Sequence, residues 1–244
     1  MFDGGIRLRR DGREVFHHLG VSAFATHAVV DRRSVVPIDE DVPAEVAALL
    51  GCAALTGGGA IMNAAVVQPG EAVIVVGLGG VGLAALQVAL AHRDVDVIGV
   101  DILPAKRQTA LRLGASAVAA PDRAVEEGLK APVVVEAAGS AAAFDTALQL
   151  TEAGGRTVTV GLPDPGARST ISPLSLVAEG RSIIGSYLGS AVPERDIPKL
   201  ADMWREGRLP LERLISSTIE LGDLNEALDE LADGRSIRQI IRFP

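Results

Sequence analysis

From residue 72 onward the chain alternates short β-branched runs with segments whose apolar positions recur at helical spacing. Val73-Ile74-Val75-Val76 is followed by a segment carrying Leu83, Leu86 and Leu90 on one side. Val95-Asp96-Val97-Ile98-Gly99-Val100 is followed by a helix opening at Pro104 and closing at Gly114, residues suited to those two positions. A weak strand near Ala117-Val118, a short helix at 124–130 and a fourth strand at Val133-Val134-Val135 come next. Ser140 is placed to cap a helix in which Phe144, Ala147, Leu148 and Thr151 recur at i, i+3, i+4 and i+7, with Gly154-Gly155 ending it. Thr157-Val158-Thr159-Val160 and Ile183-Ile184 supply strands five and six. Continuous apolar strands separated by helices predict a parallel sheet covered on both faces, an α/β fold wound in both directions from its first strand.

The two ends read differently. Residues 24–30 and 34–38 have the look of short strands. Near the other end, Ile197, Leu200, Ala201 and Trp204 mark a helical face that stops at Gly207. Asp223 with Glu226 resembles a capping box ahead of Leu224, Ala227, Leu228 and Leu231, and 237–243 closes the chain as a strand. The ends are expected to pair into a second, mostly β lobe, discontinuous in sequence.

Residues 72–91 are apolar or glycine except for Gln87, long enough to cross a bilayer. Four glycines between Val76 and Leu83 change the character of the run halfway, which predicts a strand, a glycine turn and a buried helix instead. The 244 residues are 48% hydrophobic and 22% charged, a globular composition with room for one large or two small domains. Lysine and arginine number 23 against 31 acidic residues, a net charge of −8 that argues against a nucleic-acid or anionic-membrane partner. The single cysteine, Cys52, excludes an internal disulfide and any Cys-x-x-Cys zinc clamp within the chain. With no apolar signal core at the N-terminus, a cytoplasmic location is expected.

Gly77-Leu78-Gly79-Gly80-Val81-Gly82 reads G-x-G-x-x-G directly after a strand and at the opening of a helix. In that setting Gly77 permits the sharp turn, Gly79 lets backbone approach a pyrophosphate, and Gly82 allows the helix to pack on the strand. The helix N-terminus offers free N–H groups to phosphate. The next strand ends in Asp101, whose carboxylate can accept both ribose hydroxyls of a dinucleotide. Ile102, with no arginine beside it, favours NAD over NADP. Lys106 is either a second ribose contact or a solvated helix lysine.

Leu50-Gly51-Cys52-Ala53-Ala54-Leu55-Thr56-Gly57, Val67-Gln68-Pro69-Gly70, the glycine motif and Gly99-Val100-Asp101 together resemble the zinc-type medium-chain alcohol dehydrogenases. The segment from His17 to Ala25 and the tail Gly234-Arg235-Ser236-Ile237-Arg238 extend the similarity over nearly the whole chain, with a lean toward the class III, formaldehyde-dehydrogenase-like branch. The resemblance implies a six-stranded Rossmann domain at 49–190. Flanking it, residues 1–48 and 191–244 would be parts of an incomplete GroES-like catalytic lobe. It also implies hydride transfer between a small alcohol or aldehyde and NAD, with zinc as Lewis acid.

By the same resemblance Cys52 corresponds to a zinc ligand, Thr56 to a residue beside the nicotinamide, and Val81 to one packing behind its ring. Gly161 corresponds to a position near the carboxamide and Arg238 to a pyrophosphate-binding arginine. The family's other zinc ligands lie upstream of the segment that resembles residues 1–40, so the chain is expected to be a truncated form. His17, His18, His27 and His92 are the candidates for rebuilding the metal site, although His92 suits a helix C-terminus. A homodimer or higher homo-oligomer is expected through the apolar edge between Ser182 and Tyr187. The competing reading is a non-catalytic NAD-binding or dimerisation fragment. Zinc-independent quinone reduction is disfavoured by the setting of Cys52.

Overall fold

The structure, a computed structural model, describes residues 5–6, 8–16 and 21–243. It opens with an exposed antiparallel hairpin, β1 (Leu8–Arg10) and β2 (Arg13–Val15). The strands expected at 24–30 and 34–38 are not formed. A 3-10 turn, Arg32–Ser34, lies between them, and Phe24, Val29 and Val35 are exposed. Strand-like composition is insufficient there because no neighbouring strand completes a ladder. Charge ties this region down instead. Arg205 reaches Asp39 at 2.8 Å and Asp41 at 2.7 Å, and Arg242 reaches Glu45 at 2.6 Å.

A helical run that the spacing of apolar residues did not signal follows at Ala44–Ala65. In it, α1 (Ala44–Leu49) and α2 (Leu55–Gly59) alternate with π-helical turns at Leu50–Ala54 and Ala60–Ala65. By length and composition it could cross a membrane, but two thirds of it is buried within the fold. Being apolar on every side, it has no period to detect.

The alternation predicted from residue 72 is realised as β3 (Ala72–Val76), α3 (Gly80–Leu90), β4 (Asp96–Val100), α4 (Pro104–Leu113), β5 (Ala117–Ala119), α5 (Pro121–Glu126), β6 (Ala131–Glu136), α6 (Ala141–Leu150), β7 (Thr151–Thr159), α7 (Pro173–Glu179) and β8 (Ser182–Gly185). The six strands are all parallel, in the order β5-β4-β3-β6-β7-β8. Winding outward in both directions from β3 is the doubly wound arrangement. Val73 and Val75 face a core shared with α3 and the Ala44–Ala65 run, while Ile74 and Val76 face a second core with Ala124 and Leu150. Gln87 donates to the Pro210 carbonyl at 3.1 Å, linking the nearly buried α3 to the C-terminal segment.

Ser140 caps α6 as expected, its hydroxyl accepting from Ala143 N. The helix stops at Leu150 rather than at Gly154, because the Thr151 hydroxyl donates to Ala147 O at 2.8 Å and the chain turns at once into β7. Beyond β8 come α8 (Pro193–Arg205), β9 (Ile215–Ile219), α9 (Leu224–Ala232) and β10 (Arg238–Ile241). The capping box pairs Glu220 with Asp223 around a 3-10 turn; it does not join Asp223 to Glu226. β10 pairs in parallel with β9, so among the described residues the two chain ends share no sheet.

Three consecutive glycines let α2 touch three neighbours. A Cβ on Gly57 would overlap the Val81 carbonyl oxygen and stand 2.6 Å from Ala85 N; on Gly58 it would stand 2.9 Å from Leu200 Cδ2. On Gly59 it would stand 2.9 Å from the Gly189 Cα. Gly57→Ala therefore forces α2 off the α3 backbone and is expected to destabilise the protein by about 1–3 kcal/mol, as overpacking does. Gly51→Ala, where nothing lies within 4 Å, should instead raise stability by about 0.5–1 kcal/mol through lost unfolded-state freedom. Denaturant unfolding of the two variants checks both directions.

Candidate functional site

Strand register places Ala119, Val100, Val76, Glu136, Thr159 and Gly185 in one row across the sheet. Gly77, Asp101, Ala137, Val160 and Ser186 come immediately after this row, at the carboxyl ends of β3, β4, β6, β7 and β8. In an open parallel sheet this is where ligands bind, above the point at which the strand order reverses.

Gly77 turns the chain out of β3 with φ +92°, and its N–H donates to Val100 O at 2.8 Å. A Cβ here would stand 2.6 Å from Ala138 N, so only glycine fits. Gly82 lies so close that a Cβ on it would overlap the Gly77 carbonyl oxygen. Gly79 is the opposite case: nothing lies within 4 Å of where its Cβ would stand, and it borders a crevice of about 550 Å³. The crevice is walled by Asp101, Leu103, Lys106 and Ala138 and closed by Gly234 from the C-terminal segment. Leu78 is fully buried and packs against Gly99.

Asp101 is nearly buried and accepts two backbone hydrogen bonds, from Leu78 N at 2.7 Å and from Leu103 N at 2.8 Å. Its carboxylate thus pins the glycine turn while facing the crevice, and each oxygen keeps capacity for another donor. Lys106 also borders the crevice, beside Gly234. No arginine adjoins Asp101 in the sequence, but the fold brings one to its backbone. Arg107, six positions on, donates to the Asp101 carbonyl at 2.6 Å and to the Ile102 carbonyl at 3.0 Å, because the first turn of α4 folds back over the strand end.

Glu136 was not singled out from the sequence. It is 1% exposed; Oε1 accepts from Ala138 N at 2.8 Å and Gly139 N at 2.7 Å, and Oε2 accepts from the Thr159 hydroxyl at 2.7 Å. A Cβ on Gly161 would stand 2.8 Å from that same Oε2. A glutamate ending an otherwise apolar strand was the available signal.

Arg238 emerges from β10 and lays its guanidinium over Gly80, at the start of α3. A Cβ on Gly80 would overlap the guanidinium carbon and stand 2.5 Å from NH2. A side chain at position 80 would push the guanidinium off this place. Burial pulls Arg238 below its ordinary value, and the nearby Cys52 opposes this. Cys52 itself is exposed, on the first π turn of the helical run. Thr56 is nearly buried on α2, and Val81 is half-buried at the start of α3, its carbonyl against Gly57. So Gly80 and Arg238 meet at one place, within electrostatic reach of Cys52, and Gly77, Gly79, Asp101 and Lys106 at an adjoining one.

Among the described residues no three His, Cys, Asp or Glu side chains come together as a metal-holding group. His92 has a ring nitrogen 2.8 Å from Val88 O at the end of α3, and His27 is exposed beside Thr26. His17 and His18 lie outside the described residues.

A third buried carboxylate is Asp196, on α8. It is fully buried and bonded to Arg195, to Val192 N at 2.9 Å and to the Asn63 amide at 3.1 Å. The Arg195 guanidinium, helped by Val192 N–H and Asn63, holds its carboxyl well below the ordinary range against the opposing effect of burial.

A family model described as zinc-binding dehydrogenase matches residues 80–206. Alcohol dehydrogenase B of Mycobacterium tuberculosis is 35% identical over 253 residues, covering 99% of this chain and 67% of that protein. An S-(hydroxymethyl)glutathione dehydrogenase of Synechocystis is 32% identical, covering 100% of this chain and 68% of that protein. Among solved structures, benzyl alcohol dehydrogenase from Acinetobacter calcoaceticus superposes with a TM-score of 0.87 at 29% identity, over 92% of this chain and 64% of that one. The chain thus spans about two thirds of the length of the curated relatives and slightly less of that structure.

Because Asp196 has a depressed value in the fold, its contribution is complete above the unfolded carboxyl value of about 3.9 and is lost as the pH falls toward the folded value. Asp196→Asn should lower stability at neutral pH and make the decline below about pH 4 shallower than in the wild type. Thermal melts from pH 7 to 2.5 test this; equally steep declines would remove Asp196 as a source of acid sensitivity.

Proposed function

Since this chain belongs to the zinc-binding dehydrogenase family, the zinc-type medium-chain alcohol dehydrogenases, we propose that it binds NAD above the strand ends and serves hydride transfer between a small alcohol or aldehyde and that coenzyme. The observation that carries the reading is the open space over Gly79, between the N-terminus of α3 and the Asp101 carboxylate. A diphosphate there meets free N–H groups and the positive end of a helix dipole. The Arg238 guanidinium over Gly80 adds a second positive group.

NAD when bound supplies the hydride acceptor. The residues bind and orient it. Asp101 accepts from the adenosine ribose while its hydrogen bond to Leu78 N keeps the turn in shape, and Lys106 contributes from the next helix. Gly77 and Gly82 keep the turn against α3, and Gly79 leaves room for the diphosphate. Thr56 and Val81 flank the nicotinamide and Gly161 its carboxamide, a placement supported by their nearness to the carboxyl end of the sheet. The nucleotide-binding part is taken as 49–190. Residues 1–48 and 191–244 belong to the second lobe, which reaches the crevice through Gly234.

Zinc does not fit the described residues. Cys52 offers one ligand where a catalytic zinc site uses three, and no group of three His, Cys, Asp or Glu side chains forms among those residues. This favours, as a second reading, a polypeptide that binds NAD without turning over an alcohol. The S-(hydroxymethyl)glutathione dehydrogenase likeness favours a hydroxymethyl group as the alcohol oxidised. A cytoplasmic location is proposed with it, consistent with one unpaired cysteine.

Self-association through β8 is also proposed. It is an end strand of the sheet, and the helix leading into it exposes Leu174 and Val177 at 74% and 81%. Sedimentation at micromolar concentration should show a dimer or larger species, and a clean monomer would refute it.

Calorimetric titration should show NADH binding more tightly than NADPH. Asp101→Asn should weaken NADH about tenfold, the worth of one good charge-assisted bond. No heat with NADH would refute the coenzyme reading, whereas binding with no alcohol oxidation would select the second reading.

A further inference from the structure

The turn after β8 contains three consecutive residues in the left-handed region: Leu188 (φ 48°, ψ 33°), Gly189 (φ 70°, ψ 20°) and Ser190 (φ 51°). Two of the three are not glycine, and such a run persists only where its surroundings hold it. Burial of its own side chains is not what holds it, because Tyr187 is 69% and Leu188 37% exposed. The restraint comes from Asn63. Its amide nitrogen lies 3.4 Å from the Gly189 carbonyl and 3.1 Å from Asp196 Oδ2, donating to both. The same carboxylate oxygen accepts from Val192 N at 2.9 Å, two residues beyond the turn. One amide and one buried carboxylate therefore grip the turn and the chain that follows it.

The position of the turn gives this grip a purpose. A Cβ on Gly189 would stand 2.5 Å from Leu55 O and 2.6 Å from Thr56 O, so the turn lies directly on the segment that carries Thr56. On its other side, Ser186 N donates to Thr159 O at 2.9 Å, and Thr159 is bonded to Glu136. The turn is thus the β8 contribution to the row of loops above the sheet, separated from Asp101 on β4 by β3, β6 and β7.

We infer that Asn63 and Asp196 are positioning residues for the nicotinamide end of the coenzyme, fixing the backbone of residues 187–190 beside Thr56. This rests on the dinucleotide reading above. A loosened turn would leave the adenosine and diphosphate contacts at Gly79, Asp101 and Lys106 intact, because none of them touches it.

The test compares NADH with ADP-ribose, which shares the adenosine and diphosphate but lacks the nicotinamide. Asn63→Ala should weaken NADH about fivefold or more and leave ADP-ribose within about twofold, with less enhancement of bound NADH fluorescence. Asn63→Ser, too short to reach both acceptors, should behave alike. Equal losses for both ligands would show a merely structural role, and no loss for NADH would show no role; either overturns the inference. Failure of both variants to fold would overturn it too. A wild-type chain that binds neither ligand would bring down the coenzyme reading itself, a result distinguishable from failure of this inference alone.

Discussion

The start of α3 is packed against the end of β3 with no room for a side chain. A Cβ at Gly82 would overlap the carbonyl of Gly77, and one at Gly77 would meet Ala138 of the neighbouring loop. This close approach aims the free N–H groups of the helix at the mouth of the sheet, and it sets where a diphosphate can sit. With the strand ends aligned in a single row, the loops after β3, β4 and β6 then border the same space.

Buried carboxylates hold those loops in shape. Asp101 bridges Leu78 and Leu103, Glu136 bridges Ala138 and Gly139, and Asp196 joins Val192 to Asn63. Each accepts backbone N–H groups that would otherwise be left without partners at an irregular, poorly hydrated turn. Asp101 differs from the other two in bordering the crevice, so one side chain both shapes the turn and faces the ligand space.

The segments outside the parallel sheet attach by other means. Arg205 and Arg242 clamp the N-terminal region through exposed or half-buried carboxylates, and β10 closes on β9 without a strand from the other end. Exposed ion pairs of this kind contribute little stability each. The closest packing of these segments lies instead where Leu200 meets Gly58 and where the Arg238 guanidinium rests on Gly80.

Six strands, the glycine turn and the helices between the first five strands were legible from residues 72 to 185 because a parallel sheet demands continuous apolar runs and glycines where backbones collide; α7, which buries none of its residues, was not foreseen. Gly77, Gly82 and Asp101 announce themselves by spacing alone. The helical run at Ala44–Ala65 could not be read this way, since a helix apolar on nearly every side leaves no periodic trace. The strands expected at 24–30 and 34–38 failed for the reverse reason: composition favours a strand only when another strand is there to bond it. The contact of Arg238 with Gly80, the return of Arg107 over Asp101 and the bridge from Asn63 to Asp196 depend on residues far apart in the chain or folded back by a helix turn. Local order follows from hydrogen bonds and periodicity near in sequence, and the sequence by itself determined that much. Which distant side chain fills the space beside a given backbone was decided only when the sheet and its helices closed on one another.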